Sequence, residues 1–222
     1  MAKVKDYVWR DPSGITRWAT IVLAADAVLD TLTILFDLAY GGSSDYSTVA
    51  TEMLTPTQYV HVGFDLLRGL LLLAGIVLVA WILRISRNAH TLTTRSLTGP
   101  WWAALWWWII PIAAIYKPYA AMGEIWDASA SRQGSEWGRR RAIGVFWAAN
   151  IVRNILDQVS FRLTIFNPVV DISFRLSSLI TCITLIIIAR RIRDMQSEKH
   201  IANAFSDPGG ERPLSVLERL NG

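Results

Sequence analysis

"GPWWAALWWWIIPIAAIYKPY" occupies residues 99–119 and decides how the rest of the chain is arranged. Five tryptophans (Trp101, Trp102, Trp106, Trp107 and Trp108) fall within eight positions, and the run breaks at Pro111. Such a run can be a membrane span, a dip into a bilayer or a soluble core strip. Indole rings prefer the headgroup level, where the ring is buried and the N–H stays wet. As a helix, residues 101–116 would cover about 24 Å, short of a hydrocarbon core of about 30 Å. An interfacial or re-entrant hairpin suits both properties, and an ordinary tryptophan-rich span is the competing reading.

Composition frames the choice. Of 222 residues, 52% are apolar and only 18% charged, which points to a multi-span membrane protein rather than a soluble domain. Four stretches are long enough to cross a bilayer: residues 17–40, 60–84, 142–160 and 169–189. The first stands behind Lys3, Lys5, Arg10 and Arg17 like a secretory leader. It carries Asp26 and Asp30 and has no clear cleavage site, so it is expected to remain as a span. Residues 40–58, "YGGSSDYSTVATEMLTPTQ", make a loop without Lys or Arg, and Asn167 with Pro168 breaks the chain between the last two spans. The expected organisation is an N-terminal arm (residues 1–16), a transmembrane domain (17–193) and a polar tail (194–222).

Charge counting places the tryptophan run. If it does not cross, the arm (four Lys/Arg), residues 84–141 (eight) and the tail from Arg190 (six) share one side, against Arg162 alone on the other. If it crosses, the balance becomes eleven outside against eight inside. The positive-inside rule favours the first arrangement, with both termini cytoplasmic. After the run, Lys117, Pro118 and Tyr119 open an amphipathic helix. Its Tyr119, Met122, Ile125 and Trp126 recur at helical spacing opposite Glu124 and Asp127, with Ser129 a polar exception, and it is expected to lie on the membrane surface within a 99–133 module.

The stretch around this run resembles the bacterial membrane family called domain of unknown function 4328. The likeness rests on Arg87 and Asn88, Gly99 with Trp101 and Trp102, Trp107 and Trp108, the Ile110–Pro111 step, the Lys117–Pro118–Tyr119 step, and Glu124 with Trp126. It covers about a quarter of the chain closely. Three positions depart from the family's pattern: Ala114 and Ile115 stand where Asn-Leu is usual, and Gly123 replaces a larger residue. The resemblance implies a multi-span bacterial protein and lends no activity.

Ionisable residues inside apolar spans carry the most chemistry, because a charge in hydrocarbon normally finds a partner or water. Asp26, Asp30 and Asp37, at i, i+4 and i+11, fall within about 40° on one helix face. His61, Asp65 and Arg68 share a face of the second span and Asn150, Arg153, Asn154 and Asp157 one of the third. Intramembrane ion pairs Asp65–Arg68, Arg153–Asp157 and, at i, i+4 on the fourth, Asp171–Arg175 are therefore expected within single spans. Most of these sites lie within about 15 Å of the outer ends of their spans, so a shared polar layer is expected. Six aspartates face three arginines there, which leaves carboxylates over, with Asp26 the deepest. The layer reads either as interhelical glue or as an ion or proton path through Asp26, Asp30 and Asp37.

Reaction motifs are missing. The chain has no zinc-protease His pair, nucleophile elbow, Walker loop or dinucleotide fingerprint. Its single cysteine, Cys182, lies in an apolar run and reads as a core residue. His61, His90 and His200 do not form the facing pair that a bis-histidine haem needs, and no cofactor or metal is expected. The fold class expected is all-α, a four-helix membrane bundle with the tryptophan-rich hairpin and a surface helix, located in the bacterial inner membrane. Expected partners are the lipid bilayer and a larger membrane complex or further copies of the chain, with no nucleic acid. A non-enzymatic accessory or scaffold role comes first, and a small proton- or cation-coupled transporter second.

Overall fold

The computed structural model describes residues 8–40, 55–93, 97–106, 115–130, 136–163 and 168–206. Six helices account for nearly all of them, and no strand occurs among the described residues: α1 (Ser13–Tyr40), α2 (Pro56–Leu92), α3 (Ala103–Trp106), α4 (Lys117–Ser129), α5 (Glu136–Leu163) and α6 (Pro168–Ser206). Local chemistry starts four of them. The Asp11 carboxylate accepts from the Ser13 N–H at 2.9 Å. Thr55 and Gln58 form a capping box before α2, with Pro56 in its first turn. Pro118 and Pro168 open α4 and α6, where a missing N–H costs nothing.

Three helices, α1, α2 and α6, are long and apolar enough to cross a membrane. Sequence reading expected four spans, and the third of them, 142–160, lies within α5. That helix is as long as α1, but its middle carries Asn150, Arg153, Asn154, Asp157 and Gln158. Composition, not length, sets it apart. The helices α2 and α6 also outrun a bilayer: 39 residues carry α6 through about 58 Å, so the helix enters the expected polar tail and continues to Ser206.

The packing order is α2–α1–α6–α5, with α6 in contact with both α1 and α5. The described parts of the tryptophan segment and α4 sit at one end, against α2, α5 and α6. There the core joins Trp81, Ile85 and Ala89 of α2 to Ala104, Met122, Ile125 and Trp126, and to Ile188, Ile192 and Met195 of α6. Here the expectation for α4 is corrected. Met122, Ile125 and Trp126 are buried against protein rather than turned to lipid, because three neighbouring helices cover that face, while Tyr119 is exposed. The N-terminal arm reaches the same end, where Trp9 stacks on His200 at 3.9 Å between ring centroids.

Candidate functional site

Two polar constructions stand at opposite ends of the bundle. The first is the layer of intramembrane charges. Asp30 of α1, 1% exposed, meets the guanidinium of Arg68 on α2. One turn pair further on, Asp37 lies 3.3 Å from His61 of α2 and 3.7 Å from Arg175 of α6. The His61 contact is close enough for an ion pair but misaligned for a hydrogen bond, since neither facing atom has a hydrogen-bond partner. Arg175 also donates to Asp171 one turn back along α6, at 2.8 Å. Three helices are thus stitched together at two levels by charge.

The three pairs expected within single helices fare differently. Asp171–Arg175 forms, whereas Asp65 is more than half exposed and stands 4.0 Å from Arg68. No ion pair joins Arg153 to Asp157 among the described residues, which corrects the pairing expected on the third span. The i, i+4 spacing permits contact, but Asp157 is turned outward and exposed while Arg153 faces inward to a cavity. Spacing along one helix cannot register an interhelical competitor. Arg68 goes to Asp30, and Arg175 divides itself between Asp37 and Asp171.

The inward-facing cavity, about 380 Å³, lies between α2 and α5, which do not pack closely on one another. Asp26, Arg68, Asn150, Arg153 and Cys182 line its polar part, and leucines of α2 with Met122 and Phe146 line the rest. Asp26 is in none of the ion pairs described; it accepts from the Cys182 thiol at 3.4 Å. Among the described residues no three His, Cys, Asp or Glu side chains are grouped to hold a metal ion.

The second construction, at the other end, is a buried network that sequence reading did not assemble. Asn88, fully buried on α2, accepts from the Arg10 N–H at 3.2 Å and donates to the Arg10 carbonyl at 2.7 Å and to Gln196 Oε1 at 3.3 Å. Gln196 of α6 donates in turn to the Ile85 carbonyl at 2.9 Å and to Ser129 Oγ at 3.1 Å. Ser129, the polar exception on the apolar side of α4, is therefore the contact through which α4 docks. Lys199 donates to the Ala128 and Ala130 carbonyls at 2.7 and 3.3 Å, a cation at a helix C-terminus. Burial lowers its pKa, against the hold of those carbonyls. The sequence signals were Asn88 and Ser129, polar residues at apolar-periodic positions.

The tryptophan-run residues share this end where they are described. Gly99 adopts φ +110°, a conformation that favours glycine. Its carbonyl lies 3.1 Å from His90 Nε2, and Glu124 of α4 accepts from both the N–H and the hydroxyl of Thr98. The Arg87 guanidinium sits over Trp101 at 5.9 Å from the ring centroid. Trp102 is exposed, Trp126 is buried in the core, and Lys117 lies over Tyr116 at 5.6 Å. The backbone of Trp106 ends α3, while Trp107, Trp108 and Pro111 lie outside the described residues.

The motif residues described here, Arg87, Asn88, Gly99, Trp101, Glu124 and Trp126, thus build one end of the bundle. A family model described as a domain of unknown function, DUF4328, matches residues 48–195, about two thirds of the chain. No curated protein and no solved structure matches it.

Proposed function

The chain belongs to the DUF4328 family, and we propose that it is a non-enzymatic integral membrane protein, an accessory or scaffold subunit acting through helix–helix contacts in the bilayer. The observation that carries this reading is where the charges go. Asp30 and Asp37 are held between helices by Arg68, His61 and Arg175, the arrangement of polar glue rather than of a conducting file. Meanwhile α2 turns Leu66, Leu67, Leu70 and Ile76 outward, and this face is the contact surface for lipid, a larger membrane complex or a second copy.

The proposed topology places four spans in a bacterial inner membrane, α5 joining α1, α2 and α6, with its Asn150 and Arg153 turned to the cavity. Both termini are cytoplasmic. The hydrogen bond between residues 98 and 124 supports a tryptophan segment that leaves and returns at one end. Residues 107–114, even fully extended, reach only about 28 Å. An interfacial or re-entrant turn follows, and the eighteen-to-one charge asymmetry puts it on the cytoplasmic side.

Purification from the native membrane in mild detergent tests the role: a stoichiometric membrane partner or a defined homo-oligomer is expected, and a chain that remains a monomer without companions overturns it. A second reading, a small proton- or cation-coupled transporter, is favoured by Asp26, which faces the cavity beside Arg68 and Arg153. Under that reading Asp26→Asn abolishes pH-driven flux in proteoliposomes. Under the scaffold reading wild type and variant are equally silent.

A further inference from the structure

A second groove, about 650 Å³, runs between α5 and α6 at the end where α4 docks. Its wall is apolar: Val145 of α5, Ile187 and Met195 of α6, and Trp126 of α4. Val145 and Ile187 are 47% and 54% exposed, so this wall is open rather than filled by the protein's own side chains. Its rim is basic, with Arg141 from α5 and Arg190 and Arg191 from α6. Among the described residues the one acidic group on the rim, Asp194, is held by the Arg193 guanidinium at 2.7 and 2.8 Å.

The order of these residues along the helices matters. Arg141 precedes Val145 by one turn on α5, and Arg190 and Arg191 follow Ile187 by one turn on α6. The two helices run antiparallel, so both steps lead toward the same end of the bundle. Cations therefore stand one turn, about 5 Å, beyond exposed apolar side chains on both walls. That gradient matches an amphiphile with an anionic head and hydrocarbon below it. A free phosphate or nucleotide would leave the wall unused, and an uncharged chain would leave the rim unused.

We propose that this groove binds an anionic glycerophospholipid, its phosphate on Arg190, Arg191 and Arg141 and its acyl chains along Val145 and Ile187. In the proposed topology α6 leaves the hydrocarbon near residue 189, which puts the rim at headgroup level on the cytoplasmic side, where basic pockets between spans take anionic lipid. The site rests on that reading of α5 and α6 as spans.

Native mass spectrometry of the full chain in mild non-ionic detergent tests it, using phosphatidylglycerol and phosphatidylcholine with identical acyl chains. Wild type is expected to retain phosphatidylglycerol preferentially. The double variant Arg190→Gln, Arg191→Gln is expected to lose about 30-fold in that preference, the combined effect of two basic residues at an anionic surface. Val145→Trp fills the groove with every charge in place and is expected to lower retention of both lipids. Equal retention of the two lipids by wild type, an unchanged preference in the arginine variant, or full displacement by inorganic phosphate overturns the site. The two arginines are exposed, so their variant folds whatever becomes of Val145→Trp. Extraction by alkaline carbonate reads membrane integration separately. Lost selectivity in a fully integrated protein counts against the lipid site alone, and a chain released by carbonate counts against the topology.

Discussion

Replacing Asp30 and Arg68 by leucine, singly and together, asks whether the charge layer is structural. The two members of this ion pair are not equivalent. Asp30 has a side chain only 1% exposed, whereas Arg68 is 25% exposed and has Asp65 at 4.0 Å. Arg68→Leu removes the guanidinium paired with a buried carboxylate and leaves it only Ser178 and the more distant Arg175, and breaking one side of a buried pair costs about 3–5 kcal/mol. Asp30→Leu leaves a guanidinium that can lean toward Asp65 and solvent, so about 1–2 kcal/mol is expected, discounted for its exposure. The double variant removes both charges and returns to within about 1 kcal/mol of wild type, since apolar side chains replace such pairs at little cost. The two single losses less that of the double variant give a coupling of about 5 kcal/mol. Equilibrium unfolding in mixed micelles with increasing dodecyl sulfate, followed by circular dichroism, measures all four proteins. Additive single effects, or a larger loss for Asp30→Leu than for Arg68→Leu, would refute the reasoning.

Three further outcomes are expected at the other end of the bundle. Asn88→Ala unpairs both backbone groups of Arg10 and the Gln196 carbonyl oxygen, costing about 2–3 kcal/mol, and should expose the arm to trypsin at Arg10; an unchanged cleavage rate contradicts the network. Gly99→Ala forces a side chain into φ +110° with its Cβ 3.2 Å from that of Ala103, so a loss of about 1–2 kcal/mol in a thermal melt is expected, and none at all would show the loop adapts freely. Burial pushes the His200 imidazole below its ordinary 6.5, so the folded chain binds fewer protons than the unfolded one between the lowered value and 6.5. Stability is therefore full above about pH 6.5 and falls as pH drops through that window; His200→Phe, which keeps a ring against Trp9, should flatten the profile.

Much of this was legible in the sequence. Apolar runs of span length, with prolines and small residues between them, mark the long helices because backbone hydrogen bonding in lipid leaves few alternatives to a helix. The described parts of the arm, the tryptophan segment and the tail share one end of the bundle, the grouping that counting Lys and Arg had also suggested. The acidic stripe of Asp26, Asp30 and Asp37 was legible too, because helical periodicity alone puts those positions on one face.

Partner choice was not legible, because it depends on which helix faces which. Arg68 chooses Asp30 over Asp65, since a buried carboxylate across an interface outcompetes an exposed one on the same helix, while Arg153 faces the cavity and Asp157 faces outward. The docking of α4 needed the tertiary structure for the same reason: an apolar face fits lipid or protein equally well by sequence, and only α2, α5 and α6 arriving together at Ser129 and Trp126 decide between them. A chain specifies its own helices through local bonds, but contacts between distant segments exist only once the helices are side by side.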